Sequence, residues 1–305
     1  MQQETMNMIK FAERFQTEKQ CREALFNLRW PEGFVCPKCG HREFYLVTRR
    51  ELYHCRRCEH QESVTAHTIF HGSHTPLTKW FIALMLAVDK RGVSAVRLAG
   101  EIDVSYPTAW LMLHKIREAM SNRDSGYMLS KIVEMDDAYF GAPDEGGKRG
   151  RGTDKTPAVI AVQVDKQGRP QYAKAAVVDN LQGETLLKAA HEMVEVESEL
   201  RTDGYKPYQK LSDNQYNVQA EKFDPKGNPG HLLWLHKIIS NLKAFIAGTY
   251  HGLDKKHLQR YLDEFTYRFN RRKYQSQLFM RLLNACAATS TITYKDLTAD
   301  NLEAS

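Results

Sequence analysis

Four cysteines are the residues of this sequence best placed to do chemistry. Cys36 and Cys39 form one C-x2-C pair and Cys55 and Cys58 a second, with fifteen residues between the pairs. A C-x2-C turn makes two thiolates converge, and two such turns complete the tetrahedron that Zn2+ prefers. Gly40 follows the first pair, where such a turn needs a left-handed residue. Four thiolates fill the coordination shell, so the spacing predicts a structural zinc with no open position for catalysis. His41, His54 and His60 are near enough to substitute for a cysteine but are not needed. Cys21 and Cys286 stand alone and are expected to be small buried apolar residues.

A second set of residues is acidic. The run from 132 to 140 reads as a buried strand carrying Glu134, Asp136 and Asp137, and the run from 199 to 203 reads as a short strand tipped by Asp203. A carboxylate at the end of a core strand is costly unless it has a partner or a task. Asp is also a common turn residue, so either acid alone would mean little. Brought together, two such acids offer the hard oxygen ligands that suit Mg2+, the ion of phosphoryl transfer.

Elements must position these groups. Between the cysteine pairs, 43–48 and 51–54 are expected as two short strands around Arg49-Arg50. After Asp137 come a Gly-, Lys- and Arg-rich loop over 141–155, then strands over 158–164 and 172–178 joined as a hairpin. A helix over 184–193 precedes the Asp203 strand, 205–211 is a short helix or turn, and a long helix runs over 231–245. That order is the order of a ribonuclease-H-like core. Its two acids and a third group from the late helix would surround divalent metal.

Residues 76–120 are expected as three helices. Pro76 opens the first, Ser94 caps the second, Asp103-Val104-Ser105 makes a tight turn, and Pro107 starts the third. A helix, a short turn and another helix form a helix-turn-helix pattern that would aim Tyr106, Thr108, His114, Lys115 and Arg117 at DNA. A plain three-helix bundle fits the same pattern. The neighbouring ribbon and the basic charge balance favour DNA.

The chain has 305 residues, room for more than one domain, and 42% hydrophobic with 26% charged residues is ordinary for a soluble protein. Lys plus Arg number 43 against 37 for Asp plus Glu, a formal net charge of +6 that suits a nucleic-acid partner without requiring one. There is no run of eighteen apolar residues and no secretory leader pattern, so no membrane partner and a cytoplasmic location are expected.

Several stretches together resemble one family. They are Arg29-Trp-Pro-Glu-Gly-Phe-Val-Cys36-Pro-Lys-Cys39-Gly, Val133-Glu-Met-Asp136, Thr202-Asp203-Gly204-Tyr205, His236-Lys-Ile-Ile-Ser-Asn241-Leu-Lys243, Gly248-Thr-Tyr-His251-Gly, and Tyr261-Leu-Asp-Glu-Phe-Thr-Tyr-Arg-Phe-Asn270-Arg-Arg. In order and number they are similar to a bacterial insertion-sequence transposase of the DDE superfamily, in the group with an N-terminal zinc ribbon. The resemblance implies an α/β fold: a mixed-sheet, ribonuclease-H-like catalytic domain over 130–290, preceded by a helical segment over 1–30, a zinc ribbon over 31–64 and a helix-turn-helix-like segment over 75–125. It implies Asp136 and Asp203 as ligands of Mg2+ or Mn2+, with Asp136 preferred to Asp137 because it shares a strand face with Glu134. The superfamily's usual third Glu is missing from the late helix. The matching residue is Asn241, and His236 is the alternative. Lys243 is expected to face a DNA phosphate near the site. Arg271 and Arg272, interleaved with aromatics, are expected to contact DNA, and His251 is a further residue of the Gly248 turn. The resemblance implies cleavage and strand transfer on double-stranded DNA, at transposon ends and at a target. It also implies a homodimer or larger assembly, acting at the nucleoid in the bacterial cytoplasm.

Overall fold

The computed structural model of the chain describes residues 6–141, 155–222, 224, 226–228, 230–250 and 253–299. The basic loop expected over 141–155 and His251 lie almost wholly outside the described residues. The chain divides into two compact units, residues 1–123 with 274–305, and residues 124–273.

The first unit begins with α1 (Met8–Arg14) and α2 (Glu18–Arg29). A three-stranded antiparallel sheet follows, β1 (Phe44–Val47), β2 (Leu52–Cys55) and β3 (Gln61–Ser63). Strands this short do not stand alone. One face of the sheet packs on α2, where Phe26 lies 5.0 Å from Tyr53 and Trp30 lies 5.1 Å from Phe34, ring centre to ring centre. Behind the aromatics runs a charged tie: His60 Nε2 sits 3.0 Å from Glu62, which is 2% exposed and also pairs with Arg29 at 3.1 Å.

Three helices come next, α3 (Leu77–Ala87), α4 (Ala95–Ile102) and α5 (Tyr106–Ser125). Ser94 caps α4 as expected, its hydroxyl accepting from Arg97 N–H. The N-terminus of α3 has no capping side chain of its own, and Glu18 of α2 accepts from Leu77 and Thr78 N–H instead. The expected reading surface of α5 is corrected here. His114, Lys115 and Arg117 are 0, 7 and 2% exposed, so they cannot reach a DNA groove. The His114 ring lies 4.1 Å from that of Trp110, and burial pushes the Lys115 ammonium below its ordinary pKa. Long aliphatic stems let such residues occupy interior positions that a polar–apolar pattern assigns to solvent. Thr108 is half-buried, and its hydroxyl pairs with Ser105 Oγ at 2.9 Å.

The second unit is a five-stranded mixed sheet with helices on both faces. It contains β4 (Ile132–Phe140), β5 (Thr156–Val164), β6 (Pro170–Val177), α6 (Gly183–Met193), β7 (Glu199–Thr202), α7 (Gln209–Ser212), β8 (Asn217–Ala220), α8 (Leu233–Thr249) and α9 (Leu258–Asn270). The strand order is β6-β5-β4-β7-β8; β5 runs antiparallel to β4 and β6, while β4, β7 and β8 are parallel. This is the ribonuclease-H-like arrangement, with β8 a strand that the sequence pattern did not signal. Side chains alternate across β4. Val133 and Met135 join Leu186, Ala190 and Met193 of α6 on one face. Ala138 and Phe140 join Leu235, Ile238 and Leu242 of α8 on the other.

The open edge of β6 is closed by side chains of α9. Asn270 accepts from Ala173 N–H at 2.7 Å and donates to Ala173 O at 3.0 Å, and Gln259 does the same for Val177 N–H and Ala175 O. Two amides thus supply the hydrogen bonds of a missing strand and blunt an edge that would otherwise pair with another chain. Arg272 adds to this, donating to the carbonyls of Gln171 and Pro170. Arg271 lies over the Tyr267 ring and pairs with Asp124 at 2.5 Å. Both arginines therefore make contacts within the unit itself. Their side chains reach back to the unit's own carboxylate and carbonyls. Asp124 is nearly buried, so Arg271→Ala strands its charge and should cost about 3 kcal/mol of stability in urea unfolding. A loss below about 0.5 kcal/mol would show the pair to be ornamental.

The chain returns to the first unit through α10 (Leu278–Ala288) and α11 (Tyr294–Thr298). Phe279 of α10 sits 5.3 Å from Phe11 and 5.5 Å from Phe15. Residues 274–290, expected with the catalytic domain, thus complete the core of the N-terminal helices.

Candidate metal centres

The cysteine cluster is built from two matching turns. Cys36 N–H donates to His41 O and Gly40 N–H to Cys36 O; Cys55 N–H donates to His60 O and Glu59 N–H to Cys55 O. Gly40 adopts φ +72°, and Glu59 holds the equivalent place at φ +61°, where an L side chain is strained. Cys36 Sγ lies 3.6 Å from Cys58 Sγ, and Cys39 Sγ 3.6 Å from Cys55 Sγ. A ZnS4 tetrahedron with bonds of about 2.3 Å has edges of about 3.8 Å, so the thiols are already at zinc spacing. All four sulfurs lie within 4.8 Å of one another, and no other His, Cys, Asp or Glu group among the described residues is that tight.

The second centre lies where β4, β7 and α8 meet. Asp136 faces α8, since it shares its side of β4 with Ala138 and Phe140. Its carboxylate is 3.3 Å from His236 Nε2. Asp203 follows directly on β7, its Oδ1 accepting from Tyr205 N–H at 3.0 Å, with Gly204 turning the chain at φ +76°. His236 is held above the ordinary imidazole pKa by its hydrogen bond to Asp136, against partial burial, with the charges of Asp136, Glu134 and Asp203 adding to the effect. Asp136 touches the ring, the charges of Glu134 and Asp203 act on it, and the parallel register of β4 and β7 puts Asp203 beside Asp136, a concentration of carboxylate that fits a divalent cation.

Of the two residues left open for the third position, α8 brings His236 to Asp136. Asn241, five residues on, lies about 140° round the helix from His236 and is exposed. Lys243 falls within about 20° of His236 on the same flank, and its ammonium is 6.0 Å from the Phe140 ring.

Glu134 was named in the sequence only as a neighbour sharing a face. It is 6% exposed and accepts from Leu235 N–H at 3.3 Å. The N-cap of α8 is Leu232, at φ +50° and with no capping side chain, so Glu134 caps this helix from the facing strand β4. Burial pushes its carboxyl above the ordinary range, against Leu235 N–H, Arg201 and His236. The signal in the sequence was its i, i+2 relation to Asp136. Glu134→Ala should cost about 1–2 kcal/mol in urea unfolding, as loss of a cap does. Glu134→Gln keeps an acceptor and should stay within about 0.5 kcal/mol of the parent. Equal losses in the two variants would remove the capping role.

Comparison with known proteins finds a family domain around each centre. Residues 16–61 match a transposase zinc-ribbon domain, and residues 128–270 match the ISXO2-like transposase domain. A protein of transposable element ISH50 from Halobacterium salinarum, itself uncharacterized, is 26% identical over 280 residues, covering 83% of this chain and 91% of that protein. Among solved structures, the Mos1 mariner paired-end complex with Mn is similar at 11% identity and a TM-score of 0.25, over 68% of this chain and 75% of that one. A pre-cleavage Mos1 transpososome gives 13% and 0.22, over 68% and 78%. Scores this low carry no weight beside the strand order itself. Among the described residues no helix is long and apolar enough to cross a membrane. With a ribbon and a catalytic-type domain both matched in order, the chain belongs to the insertion-sequence transposases of the DDE superfamily, in the group that carries an N-terminal zinc ribbon.

Proposed function

We propose that this transposase binds the terminal inverted repeats of its element and performs both DNA cleavage and strand transfer. The observation that carries the reading is the convergence of Asp136, Asp203 and His236 at the meeting of β4, β7 and α8. Asp136 and Asp203 would hold Mg2+ or Mn2+, with His236 completing the donor set. Such ions, when bound, activate the attacking oxygen and stabilise the leaving one in an in-line displacement. Glu134 holds α8 in register so that His236 stays against Asp136. Lys243, on the same flank, supplies a cation for the scissile strand's phosphates.

The reaction has two displacements at phosphorus. A water oxygen attacks the phosphodiester at the transposon end, the bond from phosphorus to the 3′ oxygen breaks, and that oxygen takes up a proton. The freed 3′-hydroxyl then attacks a target phosphodiester; the new P–O bond forms as the target's bond from phosphorus to its 3′ oxygen breaks, the attacking hydroxyl loses its proton, and the leaving 3′ oxygen takes one up. Neither displacement needs a covalent protein intermediate. Because two ends are joined to one target, the working form is a homodimer or larger assembly on double-stranded DNA.

The test is a strand-transfer assay with a labelled transposon-end duplex, a plasmid target and Mg2+ or Mn2+. Joined product is expected. Nicked ends without joining would identify a hydrolytic nuclease, and tight end binding without cleavage in either metal a DNA-binding regulator.

A further inference from the structure

The outer face of the ribbon sheet carries a group that neither metal centre uses. Strand alternation puts Phe44 and Tyr53 on the side packed against α2, and Tyr45 and His54 on the opposite side. Tyr45 and His54 are direct cross-strand partners. Their rings stack at 4.4 Å with an interplanar angle of 19°, although Tyr45 is 49% exposed. On the next strand Gln61 pairs with His54, and its Nε2 lies 3.1 Å from His54 Nδ1. The amide donates to Nδ1, so the neutral ring carries its proton on Nε2. A histidine on an outer sheet face, stacked on one side and fixed in tautomer on the other, is costly ordering for a residue with no task.

The surroundings indicate the partner. Lys38, Arg42, Arg56 and Arg57 project from the two cysteine turns at one end of the sheet, and Arg49 from the hairpin at the other. All are exposed, and none has an ion-pair partner among the described residues. Cations at both ends with hydrogen-bonding aromatics between them match a duplex, with phosphates on the two rims of a groove and base edges within it. The four-residue strands β1 and β2 run about 10–13 Å between those ends, and the major groove is about 12 Å wide.

We propose that this face is the base-reading surface for the transposon end. His54 Nε2–H donates to a base acceptor in the major groove, Tyr45 and Gln61 hold it in place, and Arg42, Arg56 and Arg57 contact phosphate. This rests on the reading of the chain as a transposase that binds its own ends.

The experiment uses the full zinc-loaded chain and fluorescence anisotropy. One duplex is copied from the end of the element that carries the gene, and the other is shuffled at the same length and composition. His54→Ala should lower the ratio of end affinity to shuffled affinity about 10-fold, the worth of one good base contact. Affinity for the shuffled duplex and the salt slope should stay unchanged. Tyr45→Ala should act in the same direction, and Tyr45→Phe, which keeps the stack, should match the parent. Arg56→Ala should weaken both duplexes alike and reduce the salt slope by about 1. Zinc content equal to the parent's shows that each variant is folded. A parent that discriminates while His54→Ala and Tyr45→Ala discriminate equally well would overturn the proposal and leave end binding intact. A parent that binds both duplexes equally, or neither, would overturn end binding and the proposal with it.

Discussion

Asp136→Asn and Asp203→Asn should each reduce DNA cleavage by roughly 10^3-fold or more, since about 4 kcal/mol of transition-state stabilisation depends on the ions that these charges would hold. Asparagine preserves the shape and one acceptor oxygen, so α8 should stay in place and unfolding should change little. The third position gives the sharper contrast. His236→Ala removes the group 3.3 Å from Asp136 and should cost roughly 10^2-fold or more. Asn241→Ala alters an exposed helix position, gains a little helix propensity and should leave cleavage within about 3-fold of the parent. His236→Glu supplies the superfamily's usual residue in a site already rich in carboxylate, and should keep activity while lowering the Mg2+ needed for half-maximal rate. Single-turnover cleavage of a labelled end, titrated with Mg2+, reads all of these. An inactive Asn241→Ala beside an active His236→Ala would return the third position to Asn241.

The difficulty at that third position is one of helical phase. His236 and Asn241 sit on the same helix, and the sequence distinguishes them only once the buried face of α8 is known. Leu235, Ile238, Ile239 and Leu242 define that face in the structure, and they leave His236 on its β4 flank. The acids pose a simpler question, because strand alternation has a period of two and an acid after a buried run can point only one of two ways. The cysteines were easier still, since their ligand geometry is local to two turns.

Side chains whose work is tertiary were hard to read. Arg271 and Arg272 look like DNA contacts in any sequence, and only the position of Asp124 and of the β6 edge shows what they hold. His114, Lys115 and Arg117 fail in the same way: a helix that is buried along most of its length hides polar names in its interior. Strand β8 carries four residues, Asn217–Ala220, of which only Val218 is part of the apolar core. It exists because β7 offers a parallel edge, and a four-residue polar run gives no periodicity from which to infer that.

Removing zinc should unfold the ribbon and leave the catalytic-type unit standing. Structural zinc contributes apparent folding free energy on the order of 10–16 kcal/mol in small sites, far more than three strands of three or four residues can recover from packing alone. The aromatic cluster of Phe26, Trp30, Phe34, Phe44 and Tyr53 is shared with α2, so α2 should lose its covering when the cysteine turns open. The Arg29–Glu62–His60 tie opens with it, because His60 is placed by the second turn, where its carbonyl accepts from Cys55 N–H. Residues 124–273 have their own cores on both faces of their sheet and depend on none of these contacts. Hydrogen exchange after treatment with a zinc chelator separates the two. Amides of Phe44–Val47 and Leu52–Cys55 should lose protection while those of Ile132–Phe140 and Thr156–Val164 keep theirs. Cys55→Ser should give the same pattern without chelator, since it deletes one of four thiolates from a shell that has no spare ligand. Ribbon amides that stay protected in zinc-free protein would show that the aromatic cluster, and not the metal, holds the strands. Loss of protection throughout both units would show that the catalytic-type sheet leans on the ribbon after all.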